Sequence, residues 1–181
     1  MTIMNRVKQD QDIVVQITKN FRDIKVHLPK LKKLVRTVCN RFKLSKATVG
    51  IAIVDDAEIR RLNKRFLNRN YTTDCLSFDL SDDDANMPAI SALRTGVKKR
   101  KTKDENRKLF ELVVNAENAV KEAKLRGHSS EAELALYITH GLLHNLGFDD
   151  SQRTKAKKMH KTEDEILQQL GFGLVYNKND R

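Results

Sequence analysis

The stretch Val49-Gly50-Ile51-Ala52-Ile53-Val54-Asp55-Asp56-Ala57-Glu58-Ile59-Arg60-Arg61-Leu62-Asn63-Lys64-Arg65-Phe66 changes its hydrophobic period halfway along. Its first six residues form an apolar, β-branched run of strand length. Asp55-Asp56 then offer a carboxylate to cap a helix, and Ile59, Leu62 and Phe66 recur at helical spacing as one buried stripe. A strand that passes directly into an amphipathic helix implies a sheet with helices laid on it.

Outward from that junction the same alternation of elements continues. Residues 12–18 alternate Ile13, Val15 and Ile17 with smaller or polar partners and read as a strand. From residue 28 to 42, Leu28, Leu31, Leu34, Val35, Val38 and Phe42 recur at helical spacing, and Pro29 fits the first turn. Residues 75–80 and 109–114 read as a third and a fourth strand. Helices are expected over about 116–125, stopping before Gly127, then over 130–146 and 151–170. Four strands and a helix-rich C-terminal half give an α+β fold, a small mixed four-stranded sheet covered by helices. One domain over residues 1–181 suits this length. Residues 81–108 open on acidic side chains, carry Pro88 and Gly96 and end in a run of lysines, so they read as an insertion, poorly ordered around 98–103.

The formal net charge of +11 favours association with polyanions through counterion release, and nucleic acid is the obvious one. Basic residues cluster on the first two helices and again between Lys98 and Lys108, while Asp82-Asp83-Asp84 and Asp149-Asp150 are acidic exceptions. The first twelve residues hold no apolar stretch of the kind a secretory signal or membrane span needs, which points to the cytoplasm and to no membrane partner. Cys39 and Cys75 read as buried, reduced thiols rather than a disulfide framework or a cysteine metal site.

Chemistry concentrates in Tyr137-Ile138-Thr139-His140-Gly141-Leu142-Leu143-His144-Asn145-Leu146-Gly147-Phe148-Asp149-Asp150. Histidines four apart share one face of a helix and can offer imidazole nitrogens to one ion. Gly147 can enter the left-handed region and turn the chain back, so that Asp149 or Asp150 approaches the same ion. Leu142, Leu143 and Leu146 set the helix against a core. The position that carries the general base in H-E-x-x-H metalloproteases is Gly141 here, which disfavours a peptidase. His27, His128 and His160 read as exposed helix-end or loop residues.

This run resembles the H-G-x-L-H-x-x-G-[YF]-D-H signature of the YbeY family of rRNA maturation factors, which are metal-dependent endoribonucleases. Leu62-Asn63 through Phe66 and then Thr72-Thr73-Asp74-Cys75-Leu76-Ser77-Phe78 are similar to that family's L-N-x-x-[YF] and P-T-D-V-L-S-F blocks. Glu111 to Val114, Met159, Glu163, Ile166-Leu167 and Leu170-Gly171-Phe172 extend the resemblance to about residue 172. Three positions depart from the pattern. Asp150 stands at the third histidine, Thr72 at the proline, and Leu67 at an arginine for which Arg69 is a substitute.

The resemblance implies a single-strand-specific endoribonuclease acting in ribosomal RNA maturation and ribosome quality control, with ribosomal particles as partners. It implies one metal per chain on His140, His144 and Asp150. Zinc is expected, although a two-histidine, one-carboxylate set also accepts nickel, cobalt, manganese or iron. Thr73, Asp74 and Ser77 would orient water or phosphate, and Arg69 would stabilise charge, though threonine, aspartate and serine in this order also serve as caps and turn formers. Two other functions are open: an rRNA-binding assembly factor that keeps a structural metal without catalysis, supported by Leu67, and a metallopeptidase-like hydrolase.

Overall fold

The computed structural model describes residues 12–81 and 107–176. The expected insertion and its disorder fall almost wholly outside them. In chain order the elements are β1 (Ile13–Lys19), α1 (Leu28–Arg41), β2 (Ala47–Val54), α2 (Asp56–Leu67), β3 (Cys75–Asp79), β4 (Lys108–Asn115), α3 (Ala116–Arg126), α4 (Ser130–Asn145) and α5 (Arg153–Gln169). The sheet has the order β1-β2-β4-β3. β1 and β4 run parallel to β2, and β3 runs antiparallel to β4, so the sheet is mixed, as its sequence implies.

Strand alternation divides β2 and β4 between two cores. Val49, Ile51 and Ile53 of β2, with Phe110, Leu112 and Val114 of β4, face a large cluster built with α1, α3, α4 and α5. Ala52, Val54 and Val113 face the other way, with Leu76 and Phe78 of β3, and α2 covers them with Ile59, Leu62 and Phe66. Leu31, Leu34, Val35 and Val38 of α1 are fully buried, and each such side chain contributes roughly 1.5–3 kcal/mol of burial.

Caps and turns set the element ends. The Asp55 side chain accepts from Glu58 N–H at 2.8 Å and starts α2 as its sequence predicts. Lys43 (φ 58°) and Asn68 (φ 56°) take left-handed backbone just beyond α1 and α2. Lys43 and Arg69 therefore lie past the ends of α1 and α2. β3 begins at Cys75, so Thr73-Asp74 form the turn entering the strand.

α4 is buried nearly all round. From Ala132 to Thr139 every residue is buried, and so are Gly141, Leu142 and Leu143. It packs on β3 and β4, with α1, α3 and α5 as its other neighbours. Gly141 is what lets it settle there, since a Cβ at that position would stand 2.9 Å from Leu112 Cδ2 and 3.4 Å from Cys75 Sγ. The site of the protease glutamate is thus pressed against the sheet and could not hold a base for solvent or substrate.

Candidate metal centre

His140 and His144 emerge at the C-terminal end of α4, the first 18 % and the second 31 % exposed. Their Nε2 atoms are 3.0 Å apart. Gly147 has φ +86°, and the turn is closed by Phe148 N–H donating to Leu143 O at 2.9 Å. That turn swings Asp150 back, with its Oδ2 3.8 Å from each of the two Nε2 atoms. The three donor atoms lie within 4.8 Å of one another.

The outer nitrogens of both imidazoles are engaged elsewhere. His140 Nδ1–H donates to Glu163 Oε1 at 2.8 Å, and His144 Nδ1–H donates to the Phe148 carbonyl at 3.2 Å. These bonds fix the tautomer and leave a lone pair on each Nε2. Two lone pairs facing each other at 3.0 Å repel unless a cation or proton lies between them. Metal–ligand bonds of about 2.0–2.2 Å in tetrahedral geometry would place donor atoms roughly 3.4 Å apart, which is the spacing this set approaches. The donor set fits a divalent metal ion. Burial disfavours the His140 imidazolium, but the Glu163 hydrogen bond and charge, with Asp74 and Asp150, outweigh it and raise the group above its ordinary pKa.

Asp149, the other candidate carboxylate, turns away from the triad. It accepts from Ser151 N–H and Oγ–H, each at 2.8 Å, and from Lys155 Nζ at 2.9 Å. The Lys155 ammonium, followed by the Ser151 bonds, holds its carboxyl far below the usual carboxylate range. It braces the loop.

Asp74 lines a cleft of about 280 Å³ together with His140, Glu133, Tyr137, His160 and Glu163. Its Oδ1 accepts from Thr73 Oγ1–H at 2.9 Å and from Cys75 N–H at 2.7 Å. Asn115 ties this turn to β4, donating from Nδ2 to Thr73 O and from its backbone to Asp74 O. Ser77 is half-buried on β3, its Cβ 3.5 Å from where a Cβ on Gly141 would sit. Arg69 is exposed in the loop after α2, and among the described residues it is not part of the cleft wall. The structure therefore brings Asp74 toward the histidines, with Thr73 bracing it, and sets Ser77 and Arg69 apart from the cleft.

Two histidines read as exposed are instead enclosed. His128 is 8 % exposed and pairs through Nε2 with the fully buried Glu133. His160 donates from Nδ1 to Glu163 Oε2 at 2.9 Å and stacks on Tyr176 with centroids 3.5 Å apart. His27, in contrast, is exposed at the N-cap of α1. Glu163, fully buried on α5, thus joins His140 to His160, a function its sequence context was not read to predict. The signal was present, because Glu163 interrupts the stripe Met159, Ile166, Leu167, and a carboxylate in a buried stripe requires partners.

Comparison with known proteins extends these observations over the chain. A family model described as Endoribonuclease YbeY matches residues 16–171. A protein named Endoribonuclease YbeY from Macrococcus caseolyticus is 32% identical over 147 residues, 81% of this chain and 87% of its own. Its namesake from Roseiflexus sp. (strain RS-1) is 38% identical over 126 residues, 68% of this chain and 71% of its own. The one from Caldicellulosiruptor bescii is 29% identical over 164 residues, 88% and 98% of the two chains. The solution structure of a Thermotoga maritima protein shares the fold, with a TM-score of 0.52 at 20% identity, covering 86% of this chain and 91% of that one. With the signature histidines converging at the end of α4 and the match spanning most of the chain, this chain belongs to the YbeY endoribonuclease family.

Proposed function

We propose that this protein is a metal-dependent, single-strand-specific endoribonuclease that acts in ribosomal RNA maturation and ribosome quality control, on ribosomal particles in the cytoplasm. The observation that carries the reading is the convergence of His140 Nε2, His144 Nε2 and Asp150 Oδ2 at 3.0–3.8 Å, each imidazole fixed from behind. When bound, a divalent ion such as zinc supplies Lewis acidity toward a phosphoryl oxygen and lowers the pKa of water.

The chain's own residues do the positioning. His140 and His144 present Nε2 lone pairs, held by Glu163 and the Phe148 carbonyl. Asp74, in the wall next to His140, would accept a proton from the attacking water and orient it, with Thr73 Oγ1–H holding the carboxylate. For Ser77, outside the cleft wall, a part in positioning the substrate phosphate rests on the family resemblance alone. Arg69, exposed in the loop after α2, would meet a phosphate of the substrate strand. RNA as substrate agrees with the net charge of +11. Among the described residues no helix is long and apolar enough to cross a membrane.

The deciding experiment pairs elemental analysis with RNA cleavage on one preparation. The parent protein should carry about one metal per chain and cut single-stranded RNA. His144→Ala should lose both the metal and at least a hundredfold of the rate, on the order expected when a metal-borne electrostatic contribution is removed. Undiminished cleavage by a metal-free His144→Ala variant would sink the proposal. RNA affinity without cleavage in the metal-loaded parent would instead support an assembly factor.

A further inference from the structure

Two clefts flank the metal loop, and they differ in charge. Among the described residues the one behind His140 is lined by four carboxylates, Asp74, Glu122, Glu133 and Glu163, together with Arg126 and the imidazoles of His140 and His160. The other, about 310 Å³, is walled by Leu146, Gly147, Phe148, Asp149, Lys155 and Lys158. Its floor is open at Gly147, where an added Cβ would meet nothing within 4 Å.

The aromatic wall of that second groove is held in place. The Phe42 ring meets Phe148 edge-on, with centroids 5.4 Å apart and planes at 79°. Lys158 Nζ stands 5.8 Å from the Phe148 ring centre. Lys155 is occupied by Asp149, whereas Lys158 is exposed at the groove's rim. The Phe148 carbonyl is the atom that orients His144, and Asp150 is two residues along the chain. A ligand on this ring is therefore next to the metal triad.

We infer that the Phe148–Lys158 groove is a nucleotide subsite, in which a base of single-stranded RNA stacks on Phe148 while Lys158 neutralises the adjoining phosphate. An aromatic ring beside a cation is the combination that single-strand binders use without reading base identity. The groove is at the small end of ligand pockets, roughly 300–1,000 Å³, so it takes one base rather than several. The inference rests on the endoribonuclease reading for its substrate class, but its test requires no cleavage.

Binding is measured by fluorescence anisotropy on the full chain in chelator, with a labelled oligoadenylate of about ten nucleotides and a strand of equal length made of abasic residues. Phe148→Leu should weaken oligoadenylate binding about tenfold and leave the abasic strand unchanged. Lys158→Gln should weaken both, and it should reduce the slope of log affinity against log salt by about 0.7. Wild-type binding of both strands by the Phe148→Leu variant would overturn the subsite, as would an unchanged salt slope in Lys158→Gln. Should Phe148→Leu lose its fold by circular dichroism, the exposed Lys158 still decides through the slope. Displacement of RNA by a polyglutamate peptide, with full and abasic strands bound alike, would assign the groove to an acidic protein and overturn the inference. A chain that shows this binding pattern but cuts no RNA keeps the subsite and loses the endoribonuclease reading; one that cuts RNA but shows no difference between strands does the reverse.

Discussion

Glu163 decides how firmly the histidines are aimed. Its two oxygens accept from His140 and His160, and its side chain is fully buried. Replacing it by glutamine keeps the shape but removes the charge and one acceptor. Glu163→Gln should therefore lower metal affinity about 10- to 100-fold, as read by competition with a chromophoric chelator. Glu163→Leu leaves two Nδ1–H donors buried without an acceptor and should cost about 2–3 kcal/mol in urea unfolding. Unchanged metal affinity in the glutamine variant would remove Glu163 from the site. The histidines and a carboxylate beyond Gly147 were legible because they belong to one local run, where helical spacing and a glycine turn predict proximity, while the choice of Asp150 over Asp149 came from the family resemblance. Glu163 was not, because its contact with His140 spans 23 residues and depends on how α5 packs on α4.

Helix α4 shows why an element can be recognised without its surroundings being known. Its residues are buried on almost every side, so the one-sided stripe that marks α1 and α2 is absent. The sequence showed a helix there through its histidines and leucines, but not that β3 and β4 lie directly beneath Gly141. β2 and α2 were readable from the period change at Asp55, and Asp55 caps α2 as expected. The antiparallel placement of β3 at the sheet edge was not, since its pairing with β4 crosses residues 80–107 and no local pattern sets that register. Gly141 supplies a direct test of the close approach. Gly141→Ala sets a methyl 2.9 Å from Leu112 Cδ2 in a fully buried layer, so the end of the Leu112 side chain must shift within the core. The variant should lose about 1–3 kcal/mol of stability in urea denaturation. A denaturation midpoint equal to the parent's would mean that α4 stands off the sheet.

At the scale of the molecule, charge and thiols respond to alkali in opposite directions. With a net charge of +11 and a sequence pI near 9.7, raising the pH toward that value relieves self-repulsion and favours the folded state. The thiols oppose this. Burial pushes Cys39 up to about 12, and burial, then the charges of Asp74, Glu163 and Asp150, raises Cys75 well above an ordinary thiol. In the unfolded chain both ionise near 8.5. Their folded pKa values are raised, so the stability they confer is complete below that point and falls as the pH climbs toward the folded values. Each thiol then subtracts up to about 1.4 kcal/mol per pH unit. Comparing urea unfolding at pH 7.5 and pH 10 separates the two effects, because Cys39→Ala removes one titrating group and alters net charge little. The parent should lose more stability than Cys39→Ala across this range, by about 2 kcal/mol or less. In the same samples Cys39 should resist alkylation at pH 8 until denaturant is added, since a buried neutral thiol is a poor nucleophile. Parallel pH profiles for the two proteins would show that Cys39 ionises as freely in the folded state as in the unfolded one, and would remove it from the buried face of α1.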